Sequence, residues 1–244
     1  MNIDRIRGYF NTASTVEHYV RAVANIGLWN SEKTLFNKYL GKSYVLLDLG
    51  CGAGRVSIGL WKLGFENVQG ADLAEQMALQ ASEIALCLGC PICFEQQDAT
   101  RLSYSDATFD GVVFAFNGLM QIPGRAMRQQ ALREIARVLR RGGRFIFSTL
   151  DREDALYSKV FDDETDYEHD LSRNEGLLDY GDRHFETEHG TTFMHVPLCA
   201  EVTADLEAAG FEVLESAMRS ELAKESPAVL DFSEDCRMWV AAIK

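Results

Sequence analysis

The sequence predicts an α/β fold: a seven-stranded, mostly parallel sheet with helices on both faces, an N-terminal helical lid and a cap segment inserted after strand five. Three observations carry this. Short apolar runs alternate with amphipathic stretches from Tyr44 to Thr149, the pattern of a parallel sheet whose crossovers are helices. A glycine-rich turn, Asp48-Leu49-Gly50-Cys51-Gly52-Ala53-Gly54, falls directly between a strand and a helix. The alternation stops after Leu150, where an acidic stretch begins, and resumes as one helix and two strands.

Apolar residues recur at helical spacing through Val16, Tyr19, Val20, Val23 and Ile26, and a second helix is expected over Glu32 to Tyr39. Tyr44 to Asp48 reads as the first buried strand, followed by a helix over Val56 to Leu63. The second strand is Asn67 to Asp72 and its helix Ala74 to Leu88. Ile92 to Gln97 and Phe109 to Phe116 are the third and fourth strands. A helix over Met127 to Leu139 stops at Gly142-Gly143, and Arg144 to Thr149 is the fifth strand. Leu177 to His195 reads as a hairpin turning at Gly190, over the ligand-binding edge. A helix from Ala200 to Ala209 ends at Gly210, and strands over Phe211 to Ala217 and Arg237 to Ile243 finish the sheet as an antiparallel pair. The expected layout is one domain: helical segment 1–43, core 44–150, acidic cap 151–197 and sheet completion 198–244.

Charge narrows the partners. The net charge is −13, and the stretch from Asp151 to His195 holds 14 acidic against 4 basic residues. Such a surface repels phosphate backbones, so nucleic acid is not expected as a partner. MNIDRIRGYF lacks the basic-then-apolar pattern of a secretory leader. The apolar stretch at Val112–Phe116 is far short of the roughly 20 residues that span a bilayer. A cytoplasmic location without membrane contact is the expectation. Cys87, Cys90 and Cys93 have metal-like spacing, but no second pair completes a four-ligand set. They read as reduced structural cysteines, and no metal is expected.

The chemistry concentrates at the strand ends. Glycines at 50 and 52 let the backbone turn sharply and approach a ligand. A dinucleotide fingerprint started at Gly50 needs a third glycine at position 55, which is Arg55, so a nicotinamide cofactor is disfavoured. Asp72 follows Gly50 by 22 residues at a strand end, where a carboxylate can accept both ribose hydroxyls of a nucleoside or cap the next helix. Asp98 and Ala99 end the third strand, placed to take an adenine amino group and ring nitrogen or to shape a turn. Phe116 and Asn117 end the fourth, where Asn117 orients a ligand or only turns the chain.

Taken in order, VLLDLGCGAGR, GAD at 70–72, QQDA at 96–99, FDGVVFAFNGLMQI at 109–122 and VLRRGGRFIFST at 138–149 resemble the successive motifs of class I S-adenosylmethionine-dependent methyltransferases. The resemblance covers roughly residues 44 to 150, and Arg141 departs from it where a proline is common. It implies a Rossmann-like sheet with S-adenosylmethionine as cofactor and S-adenosylhomocysteine as product. Asp48 and the Gly50-Cys51-Gly52 backbone would hold the aminocarboxypropyl end, Asp72 the ribose, and Asp98 and Ala99 the adenine. Arg55, Leu73 and Met77 are further cofactor-binding candidates. Transfer to an N or O nucleophile of a small-molecule acceptor is expected, with RNA or protein methylation and non-catalytic cofactor binding as alternatives. The acidic cap is either a solvated surface or a recogniser of a cationic acceptor, and His195 either a general base or a buried structural histidine. His184, Glu186 and Glu188 are expected on one strand face and His189 on the other. Oligomeric state is not legible.

Overall fold

The computed structural model describes residues 2–155, 157–158 and 177–244. Three helices come first: α1 (Ile3–Phe10), α2 (Ala13–Asn25) and α3 (Asn30–Tyr39). The core then runs β1 (Val45–Leu49), α4 (Arg55–Lys62), β2 (Asn67–Asp72), α5 (Glu75–Leu88), β3 (Cys93–Gln96), β4 (Phe109–Phe114), α6 (Arg125–Val138) and β5 (Leu139–Thr149). A hairpin of β6 (Asp182–Thr187) and β7 (Gly190–His195) follows. Last come α7 (Cys199–Ala208), β8 (Phe211–Met218), α8 (Arg219–Leu222), α9 (Pro227–Phe232) and β9 (Arg237–Ile243).

Seven strands form one sheet in the order β3-β2-β1-β4-β5-β9-β8. The first five are parallel, and β9 runs antiparallel to both of its neighbours. This is the expected fold. Successive side chains serve opposite faces, because the strand period is two. Leu47, Val112, Phe145 and Phe147 enter the core on one face. Leu46, Val113, Ile146 and Val240 enter the core on the other, beneath α3. The strand order reverses at β1, so the crevice between β1 and β4 opens at their C-terminal ends, where ligands bind in this architecture.

Three departures from the expected layout have physical reasons. β5 begins at Leu139 and passes through Gly142-Gly143, which do not separate helix from strand. The ladder pairs Phe109 with Leu139 and then Gly111 with Arg144, so residues 140–143 bulge outward. Gly142 has φ +74°, and a Cβ on Gly143 would lie 2.8 Å from the Arg140 carbonyl oxygen. In the hairpin, Thr187 pairs with Gly190, so the turn is Glu188-His189 and Gly190 opens β7. The third departure is α1, which was not expected. Asn2 accepts the Arg5 amide at 2.9 Å to start it, and Ile6 packs with Leu177 and Phe193 of the hairpin region. No helix among the described residues is long and apolar enough to cross a membrane.

Candidate functional site

A cleft of about 1020 Å³, its open mouth included, lies at the C-terminal ends of β1, β2 and β4. One end is polar and is lined by Asp48, Gly50, Cys51, Gly52, Asp72 and Asp98. The other is apolar, lined by Ile3, Ile6 and Phe10 of α1, Tyr19 of α2, Phe116, and Phe232 of α9. Leu73, Met77 and Ala99 line the cleft beside the acids.

The glycine turn is locked from behind. Gly50 and Gly52 have φ of +65° and +54°, which side-chain-bearing residues rarely adopt. A Cβ on Gly50 would strike the Phe114 ring at 2.6 Å, whereas one on Gly52 would meet only Tyr19 at 3.7 Å. Asp72 braces the turn: one carboxylate oxygen accepts the Gly52 amide and the other the Ala74 amide, each at 2.8 Å. Burial pushes its pKa up to about 6, against the pull of those two amides. Each oxygen keeps a lone pair for a further donor. Asp98 gives Oδ1 to the Thr100 amide and hydroxyl, and among the described residues nothing hydrogen-bonds Oδ2.

Asp48 and Arg55 line the cleft and also anchor its wall. Asp48 Oδ2 accepts the Ser57 amide at 2.8 Å and the Ser57 hydroxyl at 2.5 Å, which anchors the first turn of α4. Burial lifts its pKa to about 7 despite these bonds. Arg55 forms a two-pronged pair with Glu32 of α3, both contacts 2.7 Å, and also donates to the Gly27 carbonyl. A guanidinium committed to three acceptors is a strut, so the expectation that Arg55 grips a ligand gives way to one in which it ties α3 to the glycine turn.

Asn117 and His195 are corrections. The chain leaves β4 through two left-handed residues, Phe116 and Asn117, with φ 53° and 60°. That turn buries Asn117, whose amide donates to the Ser148 hydroxyl at 2.9 Å, and it does not line the cleft. Gly118, Gln121 and Ile122 do. His195 is 1% exposed and is also absent from the cleft. Its Nδ1 pairs with Asp182 at 2.7 Å and its Nε2 with Glu201 at 2.8 Å, so neither ring nitrogen is available to an acceptor. The sequence could have revealed α1 through Ile3, Ile6 and Phe10, spaced three and four apart behind Asn2. Ser226-Pro227 is likewise a helix-start signal for the segment that delivers Phe232.

Residues 46–143 match the family model described as a methyltransferase domain, and they carry the glycine turn, Asp72 and Asp98. Over that stretch, two-fifths of the chain, it is similar to methyltransferase domains, as the resemblance of its motifs implies. It is 38% identical over 101 residues to the 27-O-demethylrifamycin SV methyltransferase of Amycolatopsis mediterranei, covering 41% of this chain and 36% of that one. It is 31% identical over 146 residues to the ubiquinone/menaquinone biosynthesis C-methyltransferase of Bdellovibrio bacteriovorus, covering 59% and 60%. The chain thus spans roughly a third to three-fifths of these relatives' lengths. Among solved structures, a methyltransferase of Methanosarcina mazei superposes with a TM-score of 0.70 at 19% identity, over 89% of this chain and 99% of that one. The match to the family model ends at residue 143, before the cap.

The cap itself is partly described. Residues 162–175, which hold much of its acid, lie outside the described residues, as does His169. Several of the others are already paired: Asp151 with Arg237, Asp179 with Arg128, Asp182 with His195 and Glu186 with Thr191. Glu188 sits in the turn beside His189, 3.4 Å from its Nε2, and not on the face of His184 and Glu186. Cys87 and Cys93 are exposed and Cys90 is buried. Among the described residues the three form no converging ligand set.

Proposed function

We propose that this protein transfers the methyl group of S-adenosylmethionine to an N or O nucleophile on a small acceptor with a largely apolar body. The observation that carries the reading is the cleft's division into a braced, acid-lined end and an apolar end. The polar end suits the nucleoside: Asp72 retains acceptor capacity for ribose hydroxyls, Asp98 Oδ2 for an adenine amino group, and Leu73, Met77 and Ala99 give apolar surface for the ring. The space above Gly52, free of a Cβ, accommodates the amino-acid end. When bound, the donor supplies a methyl group on a sulfonium, already a good leaving group.

The chain's own part is alignment and exclusion of water, which can supply several kcal/mol. Ile3, Ile6, Phe10, Phe116 and Phe232 would seat the acceptor's apolar body against the donor. Tyr19 and Gln121 are the polar side chains at that end, and burial first of all holds the Tyr19 hydroxyl neutral, well above its ordinary pKa. Neither is a strong base. A neutral amine or an acidic hydroxyl, which needs little help in losing its proton, therefore fits better than a carbon nucleophile or an ammonium. The Amycolatopsis relative, named for a small molecule, supports an acceptor of that size.

Asp72→Ala weakens S-adenosylhomocysteine binding by about 1–3 kcal/mol in calorimetry, because buried hydroxyl bonds to a carboxylate are lost. Wild-type affinity also falls as pH drops through about 6, where Asp72 takes up a proton. The ligand-free fold shows the opposite sign. A carboxyl raised from 3.8 to about 6 binds more protons folded than unfolded, so this group lowers stability as pH rises through that window. An acceptor-library screen read by mass spectrometry is expected to yield neutral apolar N or O nucleophiles. Their turnover should change little between low and high salt, since no field steers them. Cationic acceptors whose rate collapses with salt would overturn this reading and restore the electrostatic role of the cap.

A further inference from the structure

Folding brings together a set of metal-binding side chains that lie far apart in sequence. We propose that His18 of α2 and Glu188-His189 of the β6–β7 turn bind a divalent transition-metal ion of the zinc class and so tie the turn to α2. One ligand atom from each residue lies within 4.8 Å of the other two. Glu188 Oε1 and His189 Nε2 are 3.4 Å apart. Two ligand atoms on a tetrahedral ion with bonds of about 2.0–2.1 Å lie about 3.3 Å apart.

Independent features point to the same occupant. His189 Nε2 is shielded from solvent yet has no hydrogen-bond partner, a costly state for a buried polar atom that a metal bond removes. The rings are held in place. His18 stacks on Phe232 with centroids 5.3 Å apart and 15° between planes. The His189 amide donates to the Thr187 hydroxyl, which also pairs with the Tyr9 hydroxyl at 3.0 Å. Two imidazoles and a carboxylate suit zinc and its neighbours, leaving a fourth position for water. Asp151, Glu153 and Cys199 also converge. There Asp151 is already bonded to Arg237 at 2.8 Å, and burial holds the Cys199 thiol up at about 12, so that cluster is an internal ion pair.

The ion would act as a clasp. His18 adjoins Tyr19, and Phe232 lies under the His18 ring, so two cleft-lining side chains sit against the site. The clasp stands apart from the methyl-donor reading, because none of the three ligands lines the cleft.

The full chain, stripped with a chelator, is titrated with Zn²⁺ by calorimetry and with Co²⁺ by visible absorption. One ion per chain and the ligand-field bands of four-coordinate Co²⁺ are expected. His18→Gln, His189→Gln and Glu188→Gln should each weaken Zn²⁺ binding by at least about tenfold. Glu188 is 80% exposed, so its variant leaves packing intact. The double variant Cys87→Ser/Cys93→Ser should bind Zn²⁺ as the parent does. S-adenosylhomocysteine binding, measured on the same samples, reports that the variants are folded and tests the donor site separately. Failure to bind one ion per chain, or unchanged affinity in both Glu188→Gln and His189→Gln, overturns the proposal.

Discussion

Gly52→Val is expected to abolish binding of S-adenosylmethionine and S-adenosylhomocysteine while the sheet stays folded. The substitution acts twice. At φ +54° a β-branched residue sits in the left-handed region, at a cost of about 1–2 kcal/mol. Its Cβ has room, the nearest atom being Tyr19 Cδ1 at 3.7 Å, so the fold tolerates it. The valine methyls then fill the space between the turn and Tyr19 that the donor's amino-acid end requires. A loss beyond about a hundredfold, or some 3 kcal/mol, is expected in calorimetry. Position 50 cannot provide this test, because a Cβ there drives into Phe114 and confounds folding with binding. Native circular dichroism with undiminished binding in the position-52 variant would falsify the placement of the donor.

His195→Ala should cost stability and leave methyl transfer almost untouched. The imidazole bridges Asp182, which is fully buried, and Glu201 of α7. Burial opposes ionisation of Asp182, yet hydrogen bonds from His195, Leu178 and Asp179 hold its pKa below the ordinary value. Without the ring, one buried oxygen loses its short bond, leaving Arg128 at 3.8 Å as a neighbouring charge. Breaking such a contact costs about 3 kcal/mol, or roughly 10 °C in melting temperature for a chain of this size. A kcat that drops while the melting temperature holds would return His195 to the chemistry. The depressed carboxyls also set a pH limit. Their stabilisation is present above the unfolded carboxylate range and is lost as pH falls through their folded values, so acid should loosen the hairpin from α7.

The parts of the cleft whose place is legible in the sequence are those built by local rules. The glycine turn, Asp72 and Asp98 each stand at a strand end, and spacing along the chain fixes their position in the sheet. The surroundings of Arg55 and His195 were not legible, for one reason. A buried ionisable side chain is defined by its partners, and Glu32, Asp182 and Glu201 reach them only through the fold. Asn117 failed through backbone geometry, two successive left-handed residues that no propensity favours at Phe116. The cleft's apolar end was missed because α1 and α9 are short, and each presents only a few apolar residues to the cleft. His18 and His189 meet only when the hairpin turn reaches α2, which pattern along the chain does not encode.

The strand order also sets a timetable for synthesis. The five parallel strands can zip together in the order in which they leave the ribosome, since each new strand pairs with one already made. The strand β8 cannot. Its ladder partner is β9, which emerges after it and must slide between β5 and β8 to pair with both. Until Arg237–Ile243 arrives, the Phe147 ring lacks the Trp239 indole that stacks on it, and the outer edge of β5 offers unpaired backbone to any passing strand. A nascent chain halted before residue 237 would therefore carry a largely formed donor cleft on a sheet still open at one side. Such a chain is a natural client for chaperones and proteases.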